Sequence, residues 1–401
     1  MTHPHAGTKA TQQQAARIAI TGMGFISPVG GNVWETALAM RKKRSSFFSH
    51  ETVLVADDHY GTRLCGAPVS RVPEEKISRY LCGADRAVAM LSAALRECTA
   101  EIPPFLLQNA SWQVDTLLEP TGQDFTDRFQ TVLQEMSVAG ERGSQANFGF
   151  PRCLLFERLI QAVERLRQGE EQMALVGCAD SLVTNTRLDA LLLAGRLKDA
   201  VNPEGIMVGE AAGIFLLEKE AAARRRNAHI YATIAAWGRA SEPNPWNGAN
   251  PSTGTGLTEA FHRAFAMLDD AGASVETVIA DLNGERSRAM EWAYTEGRVF
   301  PDTKRERVLR HPADTLGDCG GAMGAAIMVN ALAGFMLHHS PPGRVALTTS
   351  DEAGARRVIC LEPGDRMDRR LFFAGLRRQL QKEKHQALPE EERRHVQQYY
   401  R

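Results

Sequence analysis

Apolar positions recur along this chain at two spacings that alternate in a repeated order. RIAIT (residues 17–21) is a short β-branched run, the pattern of a buried strand. GMGFISPVGG follows, and its four glycines and proline read as a loop. NVWETALAMRKKRSS reads as a helix with Leu38 and Met40 on its inner side, and a second helical stretch runs from about Ala84 to Cys98. LLFERLIQAVERLRQG sets Leu155, Leu159, Ala162, Val163 and Leu166 on one helical face and ends at Gly169. MALVGCAD then reads as a strand, DSLVTNTRLDALLLAGRL as a helix and AAGIFLLEK as a fully apolar strand.

The second part of the chain repeats that order. AHIYATIAAWG alternates as a strand, TGLTEAFHRAFAMLDDAG is an amphipathic helix, and TVIADLN is a strand. GGAMGAAIMVNALAGFML is a helix of small residues, and RVALTTS and ARRVICLE close the core as two strands. Residues 100–150 are polar and weakly periodic. The repeated element order predicts a mixed α/β fold made by internal duplication, with halves at 17–225 and 226–362. Residues 1–16 read as a disordered lead-in. The 363–401 tail reads as helical and basic, either a solvated helix on the outside of the core or a docking segment.

Composition narrows the function classes. At 401 residues and 43% apolar content the chain can bury one large core or two fused ones. A formal charge of −1 supplies no field toward nucleic acid or anionic lipid. Seven dispersed cysteines without a CxxC pair fit a reducing compartment, with no disulfide framework and no metal site. The polar start lacks an apolar signal core, and runs such as AAGIFLL are too short for a membrane span, so the reading is a cytoplasmic protein. GMGFISPVGG lacks the GxGxxG spacing and acidic partner of a dinucleotide site, and no cofactor is expected.

Several stretches carry a family likeness. ITGMGFISPVG resembles the opening of β-ketoacyl synthases, and NPEGIMVGEAAGIFLLEKEAAARRRNAHIYATIAAWG (Asn202 to Gly238) resembles their Gly-acid-Ala-Gly turn, buried strand and crossing strand. VERLRQGEEQMALVGCADS is similar to the segment after the synthase nucleophile, and LGDCGGAMGAA to the helix following a catalytic histidine. The resemblance covers roughly residues 17–362. It implies the thiolase fold, five α-β-α-β-α layers from two duplicated halves, and a dimer with itself or with a related thiolase-like chain.

The family's chemistry needs a cysteine thiolate at a helix N-terminus and two histidines to stabilise an enolate. Alignment on the flanking glycines places Arg152 at the nucleophile position, with Cys153 next to it, Asn283 at the first histidine and Asp318 at the second. A helix turns about 100° per residue, so the one-position slip aims the Cys153 sulfur away from a cavity. Asp318 would repel an enolate. Arg152 is expected to pair with Asp318 or Glu285, filling the pocket. The loop that holds a phenylalanine gate in synthases reads SDEAGARR here, with four charges. No catalytic residue is therefore expected, and Arg152, Cys153, Asn283, Glu285 and Asp318 mark a degenerate site.

ADLNGERSRAMEW and HPADTLGDCGGAMG further resemble a divergent thiolase-like group that accompanies bacterial type VI secretion loci. That likeness implies a scaffold or adaptor for a protein partner such as a secreted effector. Two alternatives stand beside it: a subunit like the chain-length factors that pair with active synthases, and an acyl-binding enzyme using Asn283, Glu285 and Asp318.

Overall fold

The computed structural model describes residues 16–57, 63–77, 81–118, 123–138, 151–246, 250–272, 274–301, 306–337 and 343–365. The lead-in and nearly all of the 363–401 tail lie outside the described residues.

The fold begins with β1 (Ile18–Ile26) and α1 (Val33–Arg41), followed by a hairpin of β2 (Phe48–Asp57) and β3 (Arg63–Val69). Next come α2 (Gly83–Thr99), a single turn α3 (Pro104–Leu107), β4 (Ala110–Thr116) and α4 (Gln123–Glu135). Then α5 (Leu154–Gln168), β5 (Met173–Ser181), α6 (Asn185–Leu193), β6 (Glu210–Lys219) and α7 (Glu220–Arg225) complete the first repeat. The second repeat contains β7 (Ala232–Ser241), α8 (Thr255–Phe265), β8 (Val275–Ala280) and α9 (Arg286–Val299). It continues through β9 (Val308–Arg310), α10 (Ala313–Leu316), α11 (Met323–Met336), β10 (Arg344–Ser350) and β11 (Ala355–Pro363).

Nine strands form one continuous sheet in the order β4-β5-β6-β1-β7-β11-β10-β8-β9. Its two sides repeat one pairing scheme. The first strand of each repeat, β1 or β7, lies antiparallel to the last, β6 or β11. That last strand is antiparallel to β5 or β10, which in turn runs parallel to β4 or β8. The repeats meet where Ile18, Ala19 and Ile20 face Ile234, Thr233 and Ala232.

Strand alternation produces the layers, because successive side chains leave opposite faces of a sheet. In β6, Phe215 and Leu217 join a central core with α5 and α11, while Ile214 and Leu216 join an outer core with α2 and α4. In the second repeat Ile359 and Leu361 face the same central helices, while Val358 and Cys360 face α8 and Trp292 of α9. The result is the five-layered α-β-α-β-α arrangement. The β2–β3 hairpin stands apart, packing Val53, Val55, Ala67 and Val69 against Leu188, Leu197 and Ile206.

One expectation needs correction. The GMGFI segment is not a loop but the buried second half of β1. Its glycines answer a packing requirement: a Cβ on Gly24 would lie 1.8 Å from the Ala94 carbonyl oxygen of α2. Gly238 of β7 meets the Ala260 carbonyl of α8 at the same 1.8 Å. Both repeats press an outer helix backbone onto their first strand at one glycine. No helix among the described residues is long and apolar enough to cross a membrane.

Candidate functional site: a buried ionic network

The C-terminal ends of β5, β8 and β10 bring the two repeats together, and Arg152, Asn283, Glu285 and Asp318 meet there. Arg152 lies in a 3-10 turn, Pro151–Cys153, just ahead of α5. Asn283 and Glu285 occupy the short link between β8 and α9. Asp318 stands between α10 and α11. It lies in an isolated bridge to Val208, held by its own N–H to the Met207 carbonyl (2.7 Å) and by Gly209 N–H to its carbonyl (2.8 Å). A 3-10 turn, Gly320–Ala322, follows it.

Arg152 pairs with Asp318 through both guanidinium ends. Nη1 donates to Oδ1 at 3.0 Å and Nη2 donates to Oδ2. The Asn283 amide joins two carboxylates, donating to Asp318 Oδ2 (2.6 Å) and Glu285 Oε2 (3.0 Å). Glu285 therefore reaches Arg152 only through Asn283. Its direct cations are Arg196, after α6, which donates Nε to Oε1 at 2.7 Å and Nη2 to Oε2 at 2.9 Å, and Arg288, whose Nε donates to Oε2 at 3.4 Å. All five residues are buried, Asp318 completely.

The network extends further. Arg288, in the first turn of α9, donates to Asp281 at 3.0 Å and to the Ser350 carbonyl at 3.0 Å. Asp281 also accepts the Ser350 N–H at 2.8 Å. The charged turn between β10 and β11 reaches the network: buried Asp351 accepts the Arg152 backbone N–H (2.9 Å) and the partly exposed Glu352 pairs with Arg196 (2.8 Å). On the first-repeat side Asp180 accepts from Gly321 N–H and from Arg187, each at 2.8 Å.

Sequence reasoning missed Arg196, Arg288 and Glu352. Arg288 had a local signal, since it stands three residues after Glu285 on a helix. Arg196 had none, because its partner is 89 residues away.

The electrostatics follow from burial and pairing. Burial alone raises the Glu285 carboxyl, but hydrogen bonds from Arg196 and the charges of Arg288 and Arg196 outweigh it and bring it down to about 2. Asp281 is pushed up by burial against the opposing pull of Arg288. Arg288 is raised by Asp281 and Glu285 in spite of its burial. Cys153 points elsewhere: its Sγ donates to the Thr349 (3.3 Å) and Ala355 (3.4 Å) carbonyls of β10 and β11. Burial pushes that thiol up to about 12. Cys319 is also raised by burial, with Asp318 adding to the effect.

No described histidine bonds to the network. His229 packs edge-on against Tyr231, and His262 lies on α8. Among the described residues no group of three or more His, Cys, Asp or Glu is arranged to hold a metal. What the site offers chemically is a set of interlocked ion pairs, beside buried cysteines held as thiols. One donor remains unsatisfied, the buried Nε–H of Arg152.

No family model matches the chain. It is 31% identical over 206 residues to a polyketide β-ketoacyl synthase 1 of Streptomyces virginiae, covering 47% of each chain. It is 26% identical over 281 residues to the granaticin polyketide β-ketoacyl synthase 1 of Streptomyces violaceoruber, covering 65% of each. The chain thus spans about half to two thirds of these relatives. Among solved structures it superposes on the ishigamide ketosynthase/chain length factor with a TM-score of 0.67 at 20% identity, over 87% of this chain and 99% of that one. At that identity the likeness carries the fold: this chain has the β-ketoacyl synthase-like thiolase fold.

Proposed function

We propose that this chain is a ketosynthase-shaped protein that performs no condensation and acts as a scaffold or adaptor for a protein partner. Fold alone does not set function, so the reading rests on the site. One observation carries it: Arg152 and Asp318, which the sequence likeness reads at the nucleophile and second-histidine positions of condensing enzymes, form a buried, bidentate ion pair. Charges committed to one another are poor acids, bases and nucleophiles. Within this reading the partner is an effector of a type VI secretion system, supported by the DLNGER and LGDCGGAMG segments. A partner chain of the same or related fold is supported by β4, which pairs only with β5 among the described strands and leaves its other edge available.

A second reading, a chain-length-factor-like subunit, is favoured by the ketosynthase/chain length factor neighbour. The four charges of SDEAGARR weigh against it, since a tunnel for a growing acyl chain needs apolar walls.

The test begins with acyl-CoA and acyl-carrier-protein thioesters and intact mass, using wild type beside Cys153→Ala. The expected result is no adduct on either chain. A stoichiometric adduct lost in the variant would make this an acyl-transfer enzyme. Co-expression with an effector from a type VI locus, or with a polyketide ketosynthase, followed by size-exclusion light scattering then separates the two readings. A stable effector complex supports the adaptor, and a stable ketosynthase heterodimer without any effector complex supports the second reading.

A further inference from the structure

A cavity of about 450 Å³ opens beside the network, between α9 and the segment that follows β7. Arg286, Met290 and Tyr294 succeed one another at four-residue intervals on the outer face of α9, so they form one stripe. Trp246, with Pro245 and Pro251, makes the facing wall. Trp246, Met290 and Tyr294 are 39%, 42% and 44% exposed. Three large apolar side chains sharing one concave site are unlike scattered surface residues, which need no explanation.

The charges around this cavity are unequal in availability. Glu291 is held by Arg356 at 2.5 Å and 2.9 Å, and Asp351 accepts the backbone N–H groups of Arg152 and Ala353. Arg288 is spent on Asp281 and Glu285. Arg286 is exposed and has no ion pair among the described residues, whereas Asp351, which has none either, is buried against backbone N–H groups. The uncommitted charge at the mouth is therefore positive, above apolar walls. Trp246 also stacks on the Arg196 guanidinium at 4.1 Å, so an occupant of the cavity touches the ring that covers the network.

We infer that this cavity receives the apolar anchor side chain of an acidic segment on a protein partner, with Arg286 pairing the neighbouring carboxylate. The inference rests on the partner-binding reading above and assigns it a place. Buried apolar anchors ringed by complementary charge are the usual energetic centre of such contacts.

The probe is a fluorescein-tagged peptide with a central Phe-Leu pair flanked by glutamates, titrated into the full-length protein. Anisotropy reports binding, and tryptophan emission compared with Trp246→Phe reports its position. Arg286→Glu and Met290→Asp alter exposed side chains and leave the core intact, and each is expected to weaken the peptide by about tenfold or more. Peptides with Ala-Ala at the centre, or lysines in the flanks, are expected to lose binding to a similar degree. Equal binding of all three peptides, or no loss in either variant, overturns the assignment. So does displacement of the peptide by hexanoyl-pantetheine, which would make the cavity a small-molecule site. An effector complex that survives Met290→Asp leaves the partner reading standing and removes this surface from it. Peptide binding without any effector complex of the wild type does the reverse.

Discussion

Asp318 accepts from Arg152 and Asn283 while wholly buried, and its carboxylate also takes the Gly320 N–H at 2.9 Å. Replacing it by Asn would leave the Arg152 guanidinium in the interior without its counter-charge. Breaking a buried pair from one side costs about 3–5 kcal/mol, whereas replacing both members by apolar residues is often near neutral. Asp318→Asn is therefore expected to lose stability on that scale by urea denaturation, and Arg152→Met with Asp318→Leu to recover most of it. Equal losses in the single and double variants would show that the pair is not the stabilising unit. Thiol reactivity is a second residue-scale outcome. Cys153 is fully buried with its pKa near 12, while Cys82 is exposed. Labelling of the native protein with a thiol reagent should modify Cys82 quickly and Cys153 only on unfolding, read by peptide mass mapping.

At the scale of elements, the two close glycine contacts make paired predictions. Gly24→Ala and Gly238→Ala each force a methyl into a helix carbonyl at 1.8 Å, and forced overpacking costs about 1–3 kcal/mol or more. Similar drops in melting temperature are expected for both. A drop at one site alone would mean that the repeats do not pack their outer helices alike. These glycines also explain the misreading of β1. A glycine among apolar residues signals a turn locally, and only the helix lying across the strand reveals it as a packing choice. Strand β4 and helix α4 fell within the weakly periodic 100–150 region. Helix α9 escaped notice because its buried positions include Arg288, Glu291 and Thr295, which carry no apolar stripe.

At the scale of the whole molecule, two acidic groups pull stability in opposite directions with pH. Glu285 falls from 4.5 to about 2 on folding, so its contribution is present above pH 4.5 and is lost as pH drops toward 2. Glu97 behaves oppositely. Burial raises it to about 7, against hydrogen bonds from the Phe25 and Val33 N–H groups and with Glu35 adding to the rise. Its contribution is present below pH 4.5 and is lost as pH rises through 7. Wild type should lose on the order of 3 kcal/mol between pH 5 and 8 from this group, and Glu97→Gln should flatten that slope in denaturant melts. An unchanged slope would remove Glu97 from the account.

Most of the order of strands and helices and their duplication were legible in the residues themselves. Apolar periodicity is local, so LLFERLIQAVERLRQG declares its helix without help from elsewhere in the chain. That Arg152 faces an aspartate was also within reach, because two unlike charges at neighbouring family positions are expected to pair. The rest was settled only by tertiary structure. Arg196 and Glu285 meet across 89 residues, Asp351 and Glu352 reach the same network, and the cavity beside Trp246 is lined by segments from separate parts of the chain. Such pairings depend on where strand ends converge, and no spacing along the sequence encodes that convergence.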